Sequence, residues 1–243
     1  MKNIFVFVGS RKGKKSNTYI IISRILDCLK SETQEQINID IATPVSDEIK
    51  LCMGCGNCFM VGGCSLDQND MMSVLKRKIT NADMLIISSG VYLHNISSDC
   101  KNFLDRIGIW THTFELAGKT AITITTSTSN GNDIANGYLC KILQCMGANV
   151  VANIGIKLLG KNPVEYPDDQ LISRYADIVK ENLDADNHLN ISSQQEQLFQ
   201  NMKEIMKNNT TSYDAYIWRE KGYFECTNFV DLIERKRNED NSR

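Results

Sequence analysis

"IFVFVGSRKGKKSNTYIIISRILDCLK", residues 4–30, opens with an unbroken apolar run and ends in a segment whose apolar residues recur every three to four positions. The run at 4–9 mixes β-branched and aromatic residues, the composition of a strand buried on both faces. A polar loop containing Gly13 follows, and Ser16 or Asn17 then stands as the N-cap of a helix expected to bury Ile20, Ile21, Ile25, Leu26 and Leu29. Strand, loop and helix in that order make the first β-α unit of a parallel sheet.

Outward from this stretch the alternation repeats. "INIDIAT" (37–43) reads as a weaker strand, followed by a Gly-rich loop and a helix over 70–82 opened by Asp70. "DMLIISSG" (83–90) is a buried strand leading to a helix over 97–110. "KTAITITTSTSNG" (119–131) precedes a helix over 136–147, "NVVANIGI" (149–156) is the last strand, and a helix over about 168–183 closes the set. Five such units predict a doubly wound α/β domain, a five-stranded parallel sheet with helices on both faces and right-handed crossovers. Ligands of such sheets bind beyond the carboxyl ends of the strands, where strand order reverses. From about residue 185 the composition turns polar, with a linker or helix start at 184–197, an amphipathic helix at 198–209, an aromatic-rich segment at 212–225 and a basic tail. The expected organisation is a domain over 1–185 with a cysteine-rich loop at 51–64, and a mostly helical extension over 186–243.

Composition narrows the function classes. With 243 residues, 42% of them hydrophobic, the chain can bury one substantial core. A formal net charge of −2 and a pI near 6.0 give no general attraction for nucleic acid or an anionic membrane, so the expected partners are small molecules or proteins. The N-terminus has a short apolar run and no small-residue cleavage site, and no segment reaches the length of a membrane span, so a cytoplasmic location is expected. Nine cysteines, clustered only once, suit a reducing compartment, where grouped thiols bind metal or do redox work.

The loop at 9–18, "GSRKGKKSNT", carries hydroxyls at Ser10, Ser16 and Thr18, the Asn17 amide, flexible Gly13 and three lysines, Lys12 among them, at the start of a helix. That set can cradle a phosphate; a solvated loop with an ordinary N-cap is the competing reading. It is neither a Walker loop nor the Gly-x-Gly-x-x-Gly fingerprint. The loop resembles the "GSPRKGxGNT" phosphate loop of the NADPH-dependent FMN reductase and flavodoxin-like superfamily, with Arg11 for proline, Lys12 for arginine and the glycine at Gly13. "SSGVYLHNISSDCKNFLDR" (88–106) resembles that group's "TPVYxxxxSxxxKxFxDR" through Tyr92, Ser97, Lys101, Phe103, Asp105 and Arg106, with Gly90 replacing a proline. The resemblance implies bound FMN, with Val91, Tyr92, Leu93, His94 and Asn95 holding the isoalloxazine ring and Ser127, Thr128 and Gly131 closing over it. It covers about 1–185 and extends weakly into "DAYIWREKGYF" (214–224), similar to a "DxxYWxExGW" ending in some relatives. It also implies assembly as a homodimer or homotetramer.

The cysteines run Cys52-x-x-Cys55-x-x-Cys58-x₅-Cys64, separated by glycines that permit wrapping. Two overlapping Cys-x-x-Cys pairs and a fourth cysteine resemble a [4Fe-4S] ligand set, and the compact set in this position resembles the iron-sulfur flavoprotein branch of the same superfamily. Three other readings stand: a four-cysteine zinc site, a thiol-disulfide pair, and a cluster-free loop shaping the flavin pocket or an interface. Cys28, Cys140 and Cys145 lie on helical patterns and are expected in the core, with Cys100 and Cys226 unassigned. The function implied is an FMN-dependent oxidoreductase with a [4Fe-4S] cluster, taking electrons from ferredoxin or NAD(P)H. Its electron partner is a small molecule or a redox protein. No side chain is assigned as acid or base; Tyr92 and His94 are candidates for substrate contact. A cluster-free NAD(P)H-dependent FMN or quinone reductase is one alternative, and a flavodoxin-type carrier or redox sensor is another.

Overall fold

The computed structural model describes residues 1–184 and 191–241. Its parallel strands are β1 (Lys2–Gly9), β2 (Ile37–Ala42), β3 (Met84–Tyr92), β5 (Thr120–Ser127) and β6 (Asn149–Lys157), in the order β2-β1-β3-β5-β6, with a short antiparallel β4 (Asn95–Ile96) paired to the end of β3. The fold is therefore the expected flavodoxin-like α/β architecture. Because side chains alternate along a strand, β1 sends Phe5 and Phe7 to one face and Ile4, Val6 and Val8 to the other. The first face is covered by α3 (Met72–Thr80), α4 (Ser98–Arg106) and α6 (Asn132–Cys145), the second by α1 (Asn17–Glu32) and α7 (Asp169–Asp184). Phe103 of α4 stacks on Phe7 with ring centroids 3.9 Å apart, which seats that helix on the sheet.

Strand order reverses between β1 and β3. The loops that follow these two strands flank the crevice where such folds place ligands.

Several details differ from expectation. In α1 the buried stripe is Ile21, Ile22, Ile25, Leu26 and Leu29; Ile20 lies at its margin and is half-buried, since one residue turns the helix by about 100°. The helix expected over 97–110 ends at Arg106, and a separate turn, α5 (Trp110–Thr113), follows Gly108. The helix expected from residue 136 begins at Asn132, behind a left-handed Gly131. Cys28, Cys140 and Cys145 are only half-buried, whereas Cys100 and Cys226 are in the core. Cys100 fills the space that a side chain at Gly9 would need, as a Cβ there would lie 2.5 Å from the Cys100 Cβ.

After the sheet come α8 (Ser193–Asn208), α9 (Tyr213–Glu220) and α10 (Phe229–Asn241). Their apolar faces meet in a third core, where Phe199, Trp218, Tyr223 and Phe229 gather with Phe114 from the loop after α5. Trp218 Nε1 donates to His112 O (2.8 Å) and Gln195 Nε2 to Ala148 O (3.0 Å), tying these helices to the sheet portion. Most of the linker expected at 184–197 up to α8, residues 185–190, lies outside the described residues, as do 242 and 243 at the tail.

Candidate functional site

The first loop is built around the α1 N-cap. Ser16 Oγ accepts from Tyr19 N (3.1 Å) and donates to Gly13 O (2.8 Å), and the first intrahelical bond runs from Ile20 N to Ser16 O. The amides of Asn17 and Thr18 precede that bond and have no acceptor within the helix. Around them stand Lys12, Lys14 and Lys15, with Arg11 paired to Asp99 (2.5 Å), and the first turn of α1 contains no acid. Cations next to the positive end of a helix repel it, so an anion placed there relieves the loop. Ser10 is buried with its hydroxyl near Lys12 N (3.4 Å). Thr18 Oγ1 is buried and hydrogen-bonded to Thr126 Oγ1 (2.6 Å). The Ser16 and Thr18 hydroxyls thus have partners inside the chain, while Lys12 and Asn17 are exposed beside the free amides.

The second loop is a two-residue hairpin. Val91 pairs with Ile96 and Tyr92 with Asn95, and the turn places Leu93 (φ 47°) and His94 (φ 63°) in the left-handed region. Two consecutive positive φ values match the twist of the flanking strands, and for non-glycine residues they store strain. Leu93 is 99% exposed and Tyr92 53% exposed, so apolar side chains stand at the lip of the crevice.

The third loop presses against this hairpin. At Gly131 (φ 83°) a Cβ would lie 2.9 Å from Val91 Cγ1 and 3.0 Å from His94 Cα. A Cβ at Gly90 would lie 3.2 Å from the Tyr92 ring and 3.9 Å from Thr18 Oγ1. Thr18, Val91, Tyr92, His94 and Gly131 are therefore brought together, Asn95 with them through its pairing to Tyr92. Ser127 sits deeper, its hydroxyl donating to Asn132 Oδ1 (2.5 Å), and Thr128 is exposed with its carbonyl accepting from Leu159 N. An anion-ready helix start beside an exposed apolar turn fits the phosphate and ring of FMN. Thr126, which links the first and third loops, was hidden from sequence reasoning within a Thr-rich strand.

The cysteine loop runs between β2 and α3 and includes a single helical turn, α2 (Asn57–Met60). All four thiols are free; Cys52, Cys58 and Cys64 are half-buried and Cys55 is exposed. Burial pushes the Cys58 thiol up, and the neighbouring Cys64 and Cys52 thiols add to that. Gly54 (φ 63°) and Gly56 (φ 72°) turn the chain with open space around them. Cys58 and Cys64 line a cavity of about 230 Å³ together with Lys76, Trp110 and Tyr213, whose ring lies against Gly62. Among the described residues, no three His, Cys, Asp or Glu side chains surround a common point. The donor chemistry, the spacing and the glycine freedom suit a four-thiolate cluster, although the four thiols are not gathered around one point here and Cys55 is exposed.

The loop's stems are gripped by α4, which sequence reasoning did not assign. Cys52 N donates to Asn102 Oδ1 (2.8 Å), and Arg106 donates to Lys50 O (2.8 Å) and to the carboxylates of Asp67 (2.7 Å) and Asp70. Arg106 stood in the matched motif without a role, and the spacing of four along one helix face is the signal that pairs it with Asn102.

A family model described as NADPH-dependent FMN reductase matches residues 2–157. An iron-sulfur flavoprotein of Archaeoglobus fulgidus is 27% identical over 209 residues, covering 83% of this chain and 92% of that protein. A second iron-sulfur flavoprotein, from Methanocaldococcus jannaschii, is 27% identical over 165 residues, covering 65% of this chain and 83% of its own length. Among solved structures, one described as flavone reductase superposes with a TM-score of 0.57 at 13% identity, covering 76% of this chain; the chain spans 63% of that structure. This last likeness is one of fold.

Proposed function

The chain belongs to the NADPH-dependent FMN reductase family, and from that premise we propose that it is an FMN-dependent oxidoreductase carrying a [4Fe-4S] cluster. It would pass electrons between the cluster, the flavin and a small-molecule or redox-protein partner. Support for FMN at the crevice comes from one observation above all: three strand-end loops converge there, with an acid-free, lysine-rich helix start on one side and the Val91–Asn95 hairpin on the other. When bound, FMN exchanges electrons in pairs or singly and a [4Fe-4S] cluster exchanges them one at a time, so the two together would adapt one kind of transfer to the other.

The chain's own contribution is positional. The Asn17 and Thr18 amides, with Lys12, would hold the phosphate at the helix start, and the Thr18–Thr126 hydrogen bond keeps the first loop in register with β5. Gly131 lets the third loop approach Val91 and His94 closely, where it would shield one edge of a bound flavin ring from water. Tyr92 and His94 would meet the substrate at the open lip. Cys52, Cys55, Cys58 and Cys64 would hold the iron. For the family, a two-electron donor such as NADPH or NADH fits the exposed lip; reduced ferredoxin is the one-electron donor suited to the cluster.

A cluster-free NAD(P)H-dependent FMN or quinone reductase is the second reading, favoured by the outward position of Cys55. Stopped-flow mixing with NADPH and NADH tests the reductase claim. Flavin bleaching by either supports it, and bleaching by neither argues against the NAD(P)H-linked reading and leaves a ferredoxin-linked enzyme or a carrier. Cys55→Ser should strip iron while leaving FMN bound.

A further inference from the structure

Helix α4 touches both halves of the site. Its N-terminus is the end of the flavin hairpin: Ser97 caps the helix by accepting from Cys100 N (3.1 Å), and its hydroxyl donates to Gly9 O (2.6 Å) at the mouth of the first loop. Five and nine residues further on, Asn102 and Arg106 face the cysteine loop. Asn102 accepts from Cys52 N and directs its amide toward Ile49 O and Lys50 O (3.4 and 3.3 Å). Arg106 joins the loop's two stems, reaching Lys50 O before the first cysteine and Asp67 and Asp70 after the last. Its side chain and that of Asp70 are fully buried.

That guanidinium has one donor left. Arg106 Nε is buried and without a hydrogen-bond partner, and Asp67, whose carboxylate Arg106 holds, donates its own amide to Cys64 O (3.0 Å), which brings the Cys64 turn next to the guanidinium. Buried donors in native proteins are almost always satisfied, so an unspent one beside a candidate sulfur ligand marks a group waiting for an acceptor. Hydrogen bonds to ligand sulfur raise the reduction potential of a cluster, and such supporting contacts also hold its ligands in place.

We propose that Asn102 and Arg106 are positioning residues for the iron-sulfur cluster: α4 fixes the cysteine loop relative to the flavin hairpin, and Arg106 Nε donates to the Cys64 sulfur once iron is bound. This rests on the cluster reading above. It adds which residues build the site and set its potential.

The test uses full-length protein purified anaerobically, with Asn102→Ala and Arg106→Lys variants. Lysine keeps the charge facing Asp70 but has neither the fork nor Nε. FMN and iron per chain, iron release to a chelator, the electron paramagnetic resonance spectrum after dithionite reduction and the midpoint potential are measured. Both variants should retain FMN. Asn102→Ala should release iron at least about fivefold faster than wild type. Arg106→Lys should make the cluster harder to reduce by about tenfold, which is about 59 mV for a one-electron couple, with an altered spectrum. Wild-type potential and spectrum in a folded Arg106→Lys, or wild-type iron release in Asn102→Ala, would overturn the proposal while leaving the cluster reading intact. If Arg106→Lys does not fold, iron release from Asn102→Ala decides. Wild-type protein that binds FMN but no iron would overturn both.

Discussion

At Gly131 the backbone is left-handed and the space beyond its Cα is already taken by Val91 and His94. Gly131→Ala must therefore strain the turn and push the hairpin away from the crevice, at a cost of about 1–3 kcal/mol in stability. FMN binding, read from quenching of flavin fluorescence, should weaken by about tenfold or more, since 1.4 kcal/mol is one decade. Thiol reactivity separates the cysteines just as sharply. Burial pushes Cys100 up to about 12, and it is sealed against Gly9, whereas Cys55 is exposed. Brief alkylation of native apoprotein at pH 8 should label Cys55 and leave Cys100 unmodified, because the thiolate is the nucleophile. Asp70 supplies a pH dependence. Burial alone would raise its carboxyl, but the Arg106 guanidinium and the amides of Met72 and Lys50 hold it below the usual carboxylate range. A depressed folded pKa contributes stability that is present above the unfolded value of about 3.9 and is lost as pH falls through the folded one. Thermal unfolding should accordingly show the wild type losing stability below about pH 4, with a shallower slope there for Asp70→Asn, which is less stable at neutral pH.

Among the elements, α1 would carry the phosphate end of the proposed site. Ser16→Ala removes its cap and the bond to Gly13 O, which should cost about 1 kcal/mol and loosen the loop that presents the Asn17 amide. Chemical denaturation and FMN titration together check this: both stability and affinity should fall. The strands and most helices were legible because their signals are local. The apolar runs in "IFVFVG" and "DMLIISSG" and the β-branched, Thr-rich "TAITITTS" belong to β1, β3 and β5, whose side chains are largely buried on both faces. Ser16 was readable as a cap for the same reason. The hairpin strand β4 was not, because its turn uses Leu93 and His94, which carry none of the Gly or Asn preference of left-handed turns. Nor were the ties that shape the site. Thr18 meets Thr126 across 108 residues, Cys52 meets Asn102 across 50, and Arg106 meets Asp70 across 36, and only the folded sheet brings such pairs together. Periodicity placed Cys28, Cys140 and Cys145 in the core and left Cys100 and Cys226 unassigned, but the way the elements dock leaves the first three half-buried and puts the last two inside.

Across the whole molecule, the helices after the sheet lean on the Cys58–Cys64 side of the cysteine loop. Tyr213 lies on Gly62, Phe59 packs on His112 with centroids 4.7 Å apart, and the aromatic core around Trp218 includes Phe114 from the sheet portion. A chain ending at residue 185 would expose Phe114 and uncover the loop, while the three FMN-side loops would keep every contact described above. Such a truncation should retain FMN and lose iron on exposure to air far faster than the full chain, provided circular dichroism shows the sheet intact. Retention of iron equal to the full chain would show that the loop needs no cover. The proposed chemistry needs two cofactors in one chain, one at the crevice and one in the cysteine loop between β2 and α3. The most direct measurement is the flavin and iron content of full-length protein purified under anaerobic conditions. The account predicts one FMN and about four iron per chain, the complement of a four-thiolate [4Fe-4S] cluster; FMN with no iron would contradict it.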